Sequence, residues 1–146
     1  RMCGAGTLDD SMRRRSIYFT IKRSKLIPML QVFDVPEPLV SQGQRPTTIV
    51  APQALLLLNN IHIRKYCEDG AKQFLKESQD LTSLVTQLYQ RTLSRQPTLS
   101  ETAKSLAFLQ QQTQSYTDSG SNTPEEAAFA DLFQLVICLN EFCYIY

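Results

Sequence analysis

The chain reads as a mainly α protein: four or five helices packed on one core, with a small β element near the N-terminus. Three observations predict this class. Leu81, Leu84, Val85, Leu88 and Tyr89 recur at helical spacing and form one apolar face. Helix-start signals stand at Asp80, at Thr98 with Glu101, and at Thr123 with Pro124 and Glu126. Near the N-terminus, Ile17, Phe19 and Ile21 alternate with Tyr18, Thr20 and Lys22, the period of a half-buried strand.

Bulk composition narrows the class further. A chain of 146 residues with 42% apolar and 20% charged residues can bury a core without a disulfide or metal to staple it. A net charge of +1 gives no global field to recruit nucleic acid or acidic lipid. No stretch approaches the roughly 20 apolar residues that a membrane-spanning helix needs. A first residue of Arg1 rather than Met reads as the start of a fragment. Residues 1–12 are expected to be an irregular start, and 13–146 one helical domain from the C-terminal part of a larger protein.

In chain order, Cys3-Gly4-Ala5-Gly6 is loop-like and lacks the Lys-Ser/Thr ending of a phosphate loop. The expected strand Ser16–Lys22 follows. Pro28 to Asp34 is a short helix with Pro in its first turn, ended by Val35-Pro36. Pro36 to Pro46 is an irregular connection, and Thr47 to Val50 a candidate short strand.

The helical half opens at Pro52. Leu55 to Leu58 is apolar on every side, so protein is expected around it as the central buried turn. Asn60 is placed to cap a helix from Ile61 to about Glu77, with Gly70 as its soft spot. The helix after Asp80 is stopped by Gln96-Pro97. The next carries Leu99, Leu106 and Leu109 inward and fades at Gln110-Gln111-Gln112, leaving Tyr116 to Asn122 as a loop. The last helix buries Phe129, Leu132, Phe133, Val136 and Leu139 and closes at Asn140-Glu141-Phe142.

Candidate chemistry is sparse. Cys3, Cys67, Cys138 and Cys143 lack the paired spacing of a zinc site and form no haem-attachment motif. They read as buried free thiols, with a bridge from Cys67 to Cys138 or Cys143 as the alternative. His62, the lone histidine, has no sequence neighbour to make it a base. Arg14, Arg15, Arg23, Lys25 and Arg45 are the candidate anion- or partner-binding residues, because clustered guanidinium groups recognise oxyanions. The competing reading is a solvated rim pairing with Asp34, Glu37 or helix ends. Glu141 is expected to pair with an arginine of the basic half.

Four stretches taken together resemble a known family. They are Arg14 to Phe19 with Lys22-Arg23-Ser24; Met29 to Asp34 with Pro36; Ala51-Pro52-Gln53-Ala54-Leu55 through Asn59; and Tyr89 to Pro97 with Asp131-Leu132 and Leu139 to Phe142. In this order they resemble the planctomycete-specific C-terminal domain of unknown function that accompanies planctomycete cytochrome-c-like domains. The likeness runs from about Met12 to Tyr146 and fits the C-terminal half, or a short divergent form, of that domain.

The resemblance implies a bacterial envelope, periplasmic or secreted setting, with neighbouring domains of the same polypeptide as partners, a cytochrome-c-like unit among them. It implies no known reaction, and no cofactor held by this chain. The expected function is a non-catalytic structural or interaction module. The alternatives are part of an enzyme acting on sulfated or other anionic polysaccharide and, more weakly, nucleic-acid binding through the basic patch.

Overall fold

A computed structural model describes residues 16–22, 27–35, 43, 51–78 and 80–143. Seven helices stand among the described residues: α1 Pro28–Val32, α2 Ala51–Asn59, α3 Ile61–Glu77, α4 Leu81–Leu93, α5 Leu99–Asp118, α6 Pro124–Ile137 and α7 Asn140–Cys143. The mainly helical class holds, with α2 to α6 as its long elements. The chain divides into two compact units, Arg1–Leu56 and Leu57–Tyr146.

In the first unit the expected β element is corrected. Ser16–Tyr18 is a 3-10 turn, closed by the Phe19 N–H donating to the Ser16 carbonyl at 3.0 Å. Phe19 and Lys22 are isolated bridge residues, and no strand forms among the described residues. Alternation alone does not make a strand: at Ser16–Phe19 the backbone closes on itself in an i→i+3 bond. Helix α1 begins at Pro28, where the missing N–H costs nothing. Gln53, buried in α2, donates from Nε2 to the Val32 carbonyl at 3.0 Å. It thereby satisfies a carbonyl that the end of α1 leaves without a helical partner. The expected strand Thr47 to Val50 and the loop Cys3 to Gly6 lie outside the described residues.

The second unit is a helical assembly centred on α6. Ala128, Phe129, Ala130, Leu132, Gln134, Val136 and Ile137 of α6 are all buried. Three consecutive buried positions mean that this helix meets neighbours on more than one side. Helices α3 and α5 make its main contacts. Cys67, Ala71 and Phe74 of α3, Leu84, Val85, Leu88 and Tyr89 of α4, and Leu109 of α5 complete the core. The central element is therefore α6 rather than Leu55 to Leu58. Leu57 is 4% exposed, but Leu55 is 53% and Leu58 49% exposed.

Local signals placed most helix starts. The Asn60 side chain accepts from the His62 and Ile63 N–H groups, and Asp80 accepts from those of Thr82 and Ser83. Thr98 and Glu101 form the reciprocal capping box. Thr123 does not: its backbone (φ −137, ψ 64) departs from cap geometry and its side chain makes no cap bond, so α6 starts on Pro124 alone. Ser94 ends α4 in the left-handed region, with φ 58.

Other expectations change. Helix α5 runs to Asp118 because glutamines sustain a helix well, so Tyr116 is helical rather than in a loop. Leu99 is 93% exposed and lines nothing. Helix α6 stops at Ile137; Asn140 starts α7, and Leu139 is exposed.

Gly70 is not a soft spot. A Cβ added there would sit 2.4 Å from Phe133 Cε1, so the glycine admits the ring against α3. That ring meets Phe74 edge-on, centroids 5.8 Å apart and planes at 89°. Phe74 in turn packs on Phe129 at 5.6 Å.

Candidate functional site

The five basic residues singled out from the sequence, Arg14, Arg15, Arg23, Lys25 and Arg45, all lie outside the described residues. Within the second unit, polar side chains converge elsewhere: on the seam where α3 and α5 meet α6. An apolar run from Ala127 to Ile137, interrupted by Asp131 and Gln134, makes α6 the buried helix. Asp131 and Gln134, one turn apart on it, carry polar groups into that seam.

Arg64 of α3 is the hub. Its Nη1 donates to Asp131 Oδ1 and, at 3.3 Å, to Gln134 Oε1, while Nε donates to Glu68 Oε1 at 2.9 Å. Tyr116 of α5 donates its hydroxyl to the other Asp131 oxygen at 2.9 Å. Gln134 then donates from Nε2 to the carbonyls of Leu57 at 3.1 Å and Leu58 at 2.7 Å. These belong to the last turn of α2, whose carbonyls have no partner within that helix. One amide from α6 thus closes the end of α2 while its oxygen is held by α3. Gln53 does the same for α1 in the first unit.

The electrostatics follow from the geometry. Burial works against the charge on Arg64, but hydrogen bonds to Asp131 and Glu68 outweigh it and raise its pKa. Burial, then the hydrogen bond to Asp131, raises the pKa of Tyr116 and keeps its hydroxyl a donor at neutral pH. The two charged side chains of the central pair are 30% and 20% exposed. They are therefore partly desolvated, and losing either partner leaves the other poorly solvated.

A second cluster lies where α4, α5 and α7 meet. Arg95 donates to both oxygens of Glu101 at 2.7 and 2.9 Å and to both of Glu141 at 2.6 and 2.8 Å. The expectation that Glu141 pairs with an arginine of the basic half is corrected: its partner is Arg95. Hydrogen bonds from Arg95, then from the Thr98 backbone, lower the Glu101 carboxyl to about 2. Arg95 also lowers Glu141. Arg91 pairs with Glu77 and lies 4.6 Å over the Phe74 ring. Both arginines therefore join helices together as well as complementing the end of α4.

No disulfide joins Cys67 to Cys138 or Cys143, so the alternative bridge from Cys67 is not formed. Burial pushes the Cys67 thiol up to about 12, and also raises Cys138 and Cys143. All three are protonated at neutral pH, which makes them poor nucleophiles. Among the described residues, no three His, Cys, Asp or Glu side chains gather as a metal site. None of the described helices is long and apolar enough to cross a membrane.

Arg64, Tyr116 and Gln134 did not figure among the sequence candidates. The signal available was Asp131 and Gln134, one turn apart within the otherwise apolar run from Ala127 to Ile137. Buried polar groups at such positions need partners.

Residues 5–109 match a family model, PSD1, described as a protein of unknown function (DUF1553). That match starts earlier than the resemblance drawn from the motifs and ends within α5, so α6 lies beyond it. No curated protein and no solved structure matches the chain.

Proposed function

The chain belongs to the PSD1 family of proteins of unknown function, and from that premise we propose that it is a non-catalytic structural or interaction module of a multidomain bacterial envelope or secreted protein. The observation that carries this reading is the seam on α6. Its arginine, carboxylates, tyrosine and glutamine satisfy one another and close the end of α2. Polar groups arranged in this way hold helices in register rather than presenting a reactive atom. The arginine of the second cluster joins α4, α5 and α7 by the same logic. The proposed partners are neighbouring domains of the same polypeptide, a cytochrome-c-like unit first, met through Arg14, Arg15, Arg23, Lys25 and Arg45.

Calorimetric titration of the chain with the cytochrome-c-like domain of its polypeptide tests the proposal. Saturable binding, weakened by Arg14→Ala with Arg15→Ala, is the expected result. No heat with that domain, together with saturable binding of a sulfated glycan, would replace the module by a glycan-directed function. Binding of duplex DNA with a steep salt dependence would replace it by nucleic-acid recognition.

A further inference from the structure

A bay of about 770 Å³ opens in the second unit away from the polar seam, between the end of α3, the start of α4, the middle of α5 and the start of α6. Its size falls in the range of roughly 300–1,000 Å³ typical of small-molecule sites. Phe129 and Leu109, both buried, line it along with Leu75 and Leu81. Ser78, Gln110, Thr113 and Gln114 complete its uncharged lining among the described residues.

Among the described residues its one charged lining residue is Glu125, in the first turn of α6. Glu125 is exposed, and among the described residues it has no ion-pair partner and no lysine or arginine lines the bay. An apolar surface beside an unpaired carboxylate is complementary to one ligand chemistry. An alkyl or aryl body gains by leaving water for the accessible Leu81 and Leu75 surface over the buried Phe129 and Leu109, and a positive head gains by standing near Glu125. An anionic amphiphile of equal length would gain the first and lose the second.

We propose that this bay binds a small amphiphilic organic cation, its apolar body against Leu81 and Leu75 over the floor that Leu109 and Phe129 form, and its ammonium group beside Glu125. The bay is lined by residues of the second unit, and its proposal does not rest on the partner binding assigned to the basic residues.

The test is a titration of the isotope-labelled chain, followed by amide chemical shifts, with octyltrimethylammonium and with octyl sulfate, each below its micellar concentration. The expected result is saturable shifts for the cation centred on Leu109, Thr113 and Phe129, with the sulfate weaker. Glu125→Gln should weaken the cation by about two- to fivefold, the scale of one exposed charge pair. Glu125→Lys should reverse the preference, with at most the small loss of melting temperature that a lysine in the first turn of a helix brings. Equal affinity for the two amphiphiles in the parent chain, or shifts scattered away from the bay, would overturn the proposal. So would the absence of saturable shifts with the cation.

Discussion

Replacing Gly70 by alanine gives two opposite expectations, depending on whether the residue is a helix defect or a packing device. In an open helix the change would stabilise by about 1 kcal/mol, the difference in helix propensity. Here the new methyl carbon would lie 2.4 Å from Phe133 Cε1 and 3.2 Å from Cδ1, where carbon contacts prefer roughly 3.5–4.0 Å. The ring must retreat by more than 1 Å, and it is braced edge-on against Phe74. Overpacking of this kind costs about 1–3 kcal/mol, and a disturbed aromatic pair about 0.5–1.5 kcal/mol. Set against the propensity gain, the net is a loss of about 0.5–3.5 kcal/mol. Urea unfolding followed by circular dichroism measures it directly, and the melting temperature should fall by roughly 4–8 °C per kcal/mol for a small domain. Adding Phe133→Leu to Gly70→Ala should recover part of the loss. A rise in stability on Gly70→Ala would refute the close approach of α6 to α3.

Other expectations follow from the caps, the arginines and the thiols. Asn60→Ala and Asp80→Ala should each cost about 1 kcal/mol, and the glycine variants only a few tenths, read by denaturant midpoint. The Glu101 carboxyl, held at about 2 by Arg95, lies below its ordinary value. It therefore contributes stability that is present above that value and is lost as pH falls from about 5 toward 2. Solvent screening limits this contribution to on the order of 1 kcal/mol, and Arg95→Met should flatten most of the acid slope. Cys67, with its thiol at about 12, should resist a thiol-reactive disulfide reagent at pH 8 in the native chain and react once urea unfolds it.

How much the sequence disclosed depended on the range of each interaction. Caps at Asn60, Asp80 and Thr98 are local and were legible, as were the prolines that open α1 and α6. Helix α4 was legible because four of its five periodic residues, Leu84, Val85, Leu88 and Tyr89, are buried. The end of α5 was not, since glutamines continue a helix without marking its stop. Leu55 to Leu58 misled because an apolar run reveals hydrophobicity but not which side meets protein. The polar seam was least legible of all. Arg64 with Asp131, Gln134 with Leu57, and Arg95 with Glu141 join residues far apart in the chain. Gly70 carried its meaning in Phe133, a partner on another helix.

The seam's structural role is tested most directly by a double-mutant cycle on Arg64→Met and Asp131→Asn in urea unfolding. Each single change strands a partly desolvated partner and should cost about 1–3 kcal/mol. The double variant should fall short of the summed losses by at least about 1 kcal/mol, because the pair acts as one unit. Single variants within about 0.5 kcal/mol of the parent, with strictly additive effects, would contradict a seam that holds α3, α5 and α6 together.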